Sequence, residues 1–189
     1  MGKCVLIVKG SPRKNGNSAA LADQVAAGAR AAGAEVEVVY LHGLKIRPCA
    51  GCDSCQETME KNCIVQDDMQ ALYPSLRRAD VLVFASPVYW FTVSAQTKLF
   101  MDRGLYPLNG PEGHALAGKQ IAAVLTYGDS DPFTSGGVNA LRTFQDAARF
   151  MGAEIAGFVY GSASAAGEIR EQSEVMDRAY QMGLCLGGG

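Results

Sequence analysis

The chain has 189 residues, 48% of them hydrophobic and 19% charged, with a formal net charge of −2. That balance builds one sizeable core and excludes general disorder, which needs low hydrophobicity with high net charge. It also excludes the concentrated basic surface on which nucleic acid or an anionic membrane is bound.

The run Cys4–Lys9, closed by Gly10, has the apolar pattern of a strand buried on both faces. It is too short for the hydrophobic region of a signal peptide, and Leu6 stands where a myristoylation pattern wants Ser or Thr. Leu21, Val25, Ala29 and Ala32 then recur at helical spacing, with Asn17 or Ser18 placed to cap the start and Gly33 the end. Glu35–Leu41 alternates like a strand with one more exposed side. A cysteine-rich loop at 46–66 shows no period. Asp67 or Asp68 then caps a short helix to about Arg78.

Val81–Ala85 reads as a third, buried strand. The uncharged stretch continues to Thr97, short of a membrane span and broken at Ser86-Pro87. Ser94–Arg103 forms a helix closed by Gly104, and residues 105–119 form a loop rich in Gly and Pro. Gln120–Tyr127 is the fourth strand. A helix over Asn139–Met151 turns Leu141, Phe144, Ala148 and Met151 inward. Glu154–Tyr160 is the fifth strand, and a last helix runs from Glu168 to about Gly183. With no repeat and no long linker, residues 1–189 are expected to form one domain, soluble and cytoplasmic, without a membrane or nucleic-acid partner.

Five strands alternating with helices predict an α/β fold of three layers, a parallel sheet covered on both faces. At this size the expected strand order is 2-1-3-4-5. The loops at the carboxyl ends then share one edge, where open α/β sheets bind ligands.

Three of those loops carry chemistry. The first, from Gly10 to Ser18, opens onto a helix whose free amides suit a phosphate. Ser11 and Ser18 add hydroxyls and Arg13 a charge-assisted contact. It matches neither a Walker loop nor a dinucleotide fingerprint, and taken alone it fits an ordinary strand–helix turn equally well. The second, Ser86 to Ser94, holds Tyr89-Trp90-Phe91, which fit a wall for a planar ring or a subunit interface. The third, Thr126 to Ser130, adds Tyr127, Gly128 and Asp129.

The GSPRKNGNS loop and the SPVYWFTVSAQTKLFMDR segment, at matching positions over nearly the whole chain, resemble the NADPH-dependent FMN reductase branch of the flavodoxin-like superfamily. The resemblance implies that Ser11, Arg13, Asn17 and Ser18 hold the FMN phosphate. It also implies that Pro87, Val88, Tyr89, Trp90 and Phe91 line the isoalloxazine ring, with Tyr127, Gly128 and Asp129 closing its other side. The flavin carries the chemistry, so no catalytic side chain is assigned.

Four of the six cysteines, Cys49, Cys52, Cys55 and Cys63, fall within fifteen residues. Such clustering reads as metal or redox chemistry, not as a disulfide framework. Four thiolates suit a 4Fe-4S cluster or closed structural zinc, and empty thiols are a third reading. Iron–sulfur flavoproteins within the resembling group carry a compact cysteine motif at this place, usually with a last gap shorter than the seven residues here. Cys4 reads as a small buried hydrophobe. His42 and His114 read as loop residues, and Asp102 and Arg103 as a structural ion pair or dimer contact.

The expected function is therefore an FMN-dependent oxidoreductase, taking electrons from NAD(P)H to an unidentified acceptor directly or through a cluster, as a homodimer or homotetramer. The alternative is an electron-transfer protein that serves protein partners without turning over a small substrate.

Overall fold

The computed structural model describes residues 2–57 and 62–188. The expectation of a single cysteine-rich loop at 46–66 thus lies partly outside the described residues, at 58–61. In chain order the elements are β1 (Cys4–Lys9), α1 (Asn17–Ala31), β2 (Glu35–Tyr40), α2 (Tyr73–Arg78), β3 (Val81–Tyr89) and β4 (Thr92–Val93). There follow α3 (Ala95–Phe100), β5 (Asn109–Gly110), β6 (Gly113–His114), β7 (Gln120–Tyr127), α4 (Gly137–Met151), β8 (Glu154–Ser162) and α5 (Ser173–Gly187). The main sheet has the order β2-β1-β3-β7-β8 with every one of those neighbours parallel. This is the expected flavodoxin-like arrangement, with β7 and β8 as fourth and fifth strands.

Alternation along the central strands sends successive side chains to opposite faces. Val5, Ile7, Val83 and Val124 pack beneath α1 and α5. Leu6, Leu82, Phe84 and Leu125 join Phe100 and Phe144 on the other face, beneath α2, α3 and α4. The alanine-rich α1 lies very close to α5. A Cβ on Gly28 would stand 2.1 Å from the Tyr180 carbonyl oxygen, and one on Gly183 2.2 Å from that of Val25. The small residues are what permit this approach.

Several boundaries differ from expectation. β3 continues past Ala85 to Tyr89 because Val88 and Tyr89 pair antiparallel with Val93 and Thr92. The aromatic segment is therefore a two-residue hairpin. Gly104 does not close α3, which runs on into a π-helical turn over Met101–Leu105, Gly104 packing tightly against Met69 and Leu76. Residues 105–119 include the small β5–β6 ribbon, in which His114 is buried. A 3-10 turn at Glu168–Glu171 precedes α5, which passes Gly183 without stopping. Cys4 is only partly buried, at the sheet end.

Candidate functional site

The loop after β1 is held from three sides. The Gly10 amide donates to the Ala85 carbonyl at 2.8 Å, and the Ser94 hydroxyl donates to the Gly10 carbonyl at 2.7 Å. The Tyr40 hydroxyl donates to the Pro12 carbonyl at 2.7 Å. Gly10 is sterically required: a Cβ there would meet Thr97 Oγ1 at 1.9 Å. Ser94 also caps α3, accepting from the Thr97 amide at 3.2 Å, while its own amide donates to Ser86 Oγ at 3.0 Å. Buried hydroxyls thus tie the first loop to the end of β3.

Neither Asn17 nor Ser18 caps α1, contrary to expectation. The N-cap is Gly16, with no side-chain cap and no acidic residue in the first turn. The Asn17 amide is occupied elsewhere. Its Nδ2 donates to the Ala163 and Ala165 carbonyls at 3.2 and 2.8 Å, and its Oδ1 accepts from the Gly167 and Ile169 amides at 2.8 and 3.3 Å. The loop after β8 is thereby stapled to the start of α1. The first-turn amides keep the positive end of a 15-residue helix open to an anion.

A cavity of about 250 Å³ opens at this edge. The first loop contributes Ser11, Arg13, Asn17 and Ser18, the end of β3 contributes Pro87, Val88 and Tyr89, and β7 contributes Tyr127 and Gly128. Nine of the twelve side chains expected around FMN therefore line one space. Gly16 and Thr126 of the same loops line it as well, together with Ala163 and Ser164, which were not anticipated. The last two follow β8, brought in by the Asn17 staple. Burial pushes the Tyr127 phenol up, so it stays protonated at neutral pH.

Trp90, Phe91 and Asp129 do not line the cavity. Trp90 and Phe91 form the tip of the β3–β4 hairpin at φ 49° and 68°, left-handed conformations that glycine or asparagine usually occupies in such turns. Trp90 is 91% exposed. Phe91 is held by Asn139, whose Nδ2 donates to its carbonyl at 3.2 Å, and by Gly136, where a Cβ would strike the Phe91 backbone at 2.4 Å. Asp129 uses its carboxylate within its own loop, accepting from the Ser130 amide at 2.7 Å.

The four clustered cysteines line a second, enclosed cavity with Asp53, Asp102, Arg103 and Tyr106. Cys55 and Cys63 are buried, Cys49 and Cys52 exposed. Gly51 and Asp53 take positive φ to wind the loop. The carboxylates at this cavity are engaged: Asp53 accepts from the Tyr106 hydroxyl at 2.9 Å, and Asp102 pairs with Lys98. Burial raises the Cys55 thiol, whereas hydrogen bonds from Ser54 lower that of Cys52. Among the described residues, no three His, Cys, Asp or Glu converge on a point where a single metal ion would sit.

Arg103 closes this cavity from beneath, and its partner is not Asp102. Its guanidinium is fully buried and pairs with Asp67 through Nη1 at 2.7 Å and Nη2 at 3.1 Å. Nη1 also donates to the Arg47 carbonyl. Asp67 in turn accepts from the Arg47 amide at 2.9 Å and, as the expected cap of the following turn, from the Met69 amide at 3.1 Å. Burial alone would raise the Asp67 carboxyl, but the Arg103 and backbone hydrogen bonds outweigh it and hold the carboxyl below its ordinary value.

An open parallel sheet with an uncapped helix at the β1–β3 switch point and a mixed polar and aromatic cavity above it defines the mononucleotide-binding class of doubly wound folds. The chain belongs to the NADPH-dependent FMN reductase family, whose model matches residues 4–169. An iron–sulfur flavoprotein of Archaeoglobus fulgidus is 38% identical over 122 residues, which are 64% of this chain and 52% of that protein. A Bacillus subtilis protein provisionally named an NAD(P)H-dependent FMN-containing oxidoreductase is 26% identical over 94% of this chain and 95% of its own length. The fold is shared with the NAD(P)H:quinone oxidoreductase from Methanothermobacter marburgensis, with a TM-score of 0.76 at 18% identity, covering 98% of this chain and 100% of that one. The chain spans about half the length of the iron–sulfur flavoproteins it first matches. None of the described helices is long and apolar enough to cross a membrane.

Proposed function

We propose that the chain is an FMN-dependent oxidoreductase that draws electrons from NAD(P)H, with a 4Fe-4S cluster held by Cys49, Cys52, Cys55 and Cys63. The observation that carries the reading is the single cavity joining the uncapped start of α1 to the aromatic end of β3 and to Tyr127. When bound, FMN supplies the ring that takes hydride from nicotinamide, and the cluster supplies a one-electron relay toward the acceptor.

The chain's own residues do the positioning. The first-turn amides of α1, with Ser11 and Ser18, bind the phosphate, and Arg13 adds a charge from the rim. Asn17 acts through its staple, keeping the loop after β8 over the site. Pro87, Val88 and Tyr89 give the ring a wall that excludes water on one side, and Tyr127 with Gly128 borders it on the other. Trp90 and Phe91, set outside the cavity, suit the mouth or a contact with a second copy.

The donor set fits the cluster. Four thiols surround one cavity whose carboxylates are already paired, a soft set suited to iron–sulfur chemistry. Cysteines without disulfides fit a reducing cytoplasm. A homodimer or homotetramer is part of the same reading, with the exposed hairpin as a contact surface.

The test is an absorption spectrum of anaerobically purified protein with iron and acid-labile sulfide quantified alongside. Flavin bands with a broad shoulder and about four irons per chain are expected. Flavin bands without iron would remove the cluster, and no flavin after FMN addition would sink the whole reading. Rapid flavin bleaching by NADPH alone separates an enzyme from an electron carrier.

A further inference from the structure

The Nε of Arg103 is the one buried side-chain nitrogen or oxygen among the described residues without a hydrogen-bond partner. Every other arm of that guanidinium is committed. Nη1 reaches the Arg47 carbonyl, two residues before Cys49. Nη2 faces the Val65 carbonyl at 3.4 Å, two residues after Cys63, and both nitrogens meet Asp67. Arg103 lies in the π-helical turn: Met101 and Leu105 line a neighbouring cavity, Arg103 lines the cysteine cavity, and Asp102 borders both.

A buried guanidinium is expensive to desolvate and is ordinarily satisfied at all its donors. Here one donor has no partner, and Arg103 lines the same cavity as Cys63 and the other three cysteines. Cys63 is also fixed from behind, its carbonyl accepting from Gln70 Nε2 at 2.6 Å.

We propose that Arg103 is the positioning residue of the cysteine cavity: it clamps both arms of the loop and keeps its Nε–H for the sulfur of Cys63, setting the reduction potential of the bound cluster. The inference rests on the cluster reading. A thiolate-bound cluster becomes more negative on reduction, so a fixed positive charge and an N–H donor at one sulfur stabilise the reduced form. Asp67, behind the guanidinium, opposes that field. The two residues should therefore act in opposite directions on potential, although they act together on the fold.

The experiment compares the parent with Arg103→Lys and Asp67→Asn, each as full-length chain purified anaerobically. Cluster midpoint potential is read by spectroelectrochemistry, and iron loss by the rate of transfer to a chelator. Arg103→Lys keeps the charge but loses the fork and the Nε donor. Its midpoint is expected to fall by at least the equivalent of tenfold in the reduction equilibrium, about 59 mV for one electron, with iron loss at least tenfold faster. Asp67→Asn is expected to move the midpoint upward. Should Arg103→Lys fail to fold, the sign of the Asp67→Asn shift decides. Iron-loaded variants with the parent's midpoint, or both shifted the same way, would overturn the role of Arg103 and leave the cluster standing. A parent that binds flavin but no iron would overturn the cluster reading, and this inference with it.

Discussion

Around the first loop, position comes from strand ends: Gly10, Ala85 and Tyr127 continue rungs of the main sheet, and buried hydroxyls and one amide staple join them. Around the cysteines there is no strand among the described residues, and the described helical structure from Cys49 to Cys63 is a three-residue turn at Ser54–Gln56. The cysteine loop is instead hung on side chains, above all one buried ion pair. A scaffold of backbone bonds spreads its load over many contacts, whereas a scaffold of one charged clamp concentrates it. Substitutions should therefore cost most at the clamp and progressively less at the strand-end site.

The largest effect is expected for Arg103→Met. It strands Asp67, whose side chain is 6% exposed, without a counter-charge, a situation that typically costs about 3–5 kcal/mol. Urea denaturation should show the loss. Adding Asp67→Leu should recover only part of it, because Asp67 also accepts from the Arg47 and Met69 amides. Full recovery would mean that the pair holds itself and not the loop.

Next is Asn17→Ala, which frees two carbonyls and two amides in the 163–169 segment. A loss of about 1–3 kcal/mol is expected from buried groups left unpaired. FMN affinity, followed by fluorescence quenching, should fall with it. Unchanged affinity would place that segment outside the binding site. Ser94→Ala comes third, at roughly 0.5–2 kcal/mol for a lost helix cap. It should weaken FMN binding through the Gly10 carbonyl, which no longer has its donor.

How much of this was legible follows from range. β1, β7 and the strand order rest on local apolar runs and connection rules, and they are found as read. Pro87–Tyr89 and the Ser11–Ser18 loop, each contiguous in sequence, line one cavity, whereas Trp90 and Phe91 of the same expected wall do not. What escaped is carried by single side chains reaching far along the chain. Asn17 meets Ala165 across 148 residues, and Arg103 meets Asp67 across 36. No periodicity encodes such bonds. Asn17 is not the cap that an amide at a helix start suggests, because its side chain is taken up by the loop packed against it after β8.

His114 gives a pH-dependent comparison at the edge of the cysteine side. Its two nitrogens are used as a neutral ring: Nε2 contacts the Leu105 carbonyl at 2.9 Å, and Nδ1 accepts from the Leu116 amide at 3.1 Å. Burial lowers its pKa below the ordinary histidine value near 6.5. The unfolded chain therefore takes up a proton before the folded one does. Stability from this group is complete above about pH 6.5 and declines as pH falls toward the lower folded value. Protonation of Nδ1 would displace the Leu116 bond, worth about 1 kcal/mol. His114→Asn should flatten the profile between pH 7 and 5 in chemical denaturation.

The smallest expected change in stability is at the hairpin tip, and there its sign is informative. Trp90 at φ 49° pays for a left-handed backbone while 91% of its surface stays in water, its ring meeting that of Phe91 edge-on at 5.8 Å between centroids. Trp90→Gly should therefore stabilise the monomeric fold by about 0.5–1 kcal/mol, since glycine adopts this conformation freely. If the strained indole is retained for a contact at the cavity mouth or with a second copy, the same substitution should weaken FMN binding or lower the oligomeric state measured by sedimentation. A gain in stability with both properties unchanged would mean that the wall ends at Tyr89. A loss of stability would mean that the exposed ring is packed in the protein in solution, and the cavity would then have to be redrawn to include it.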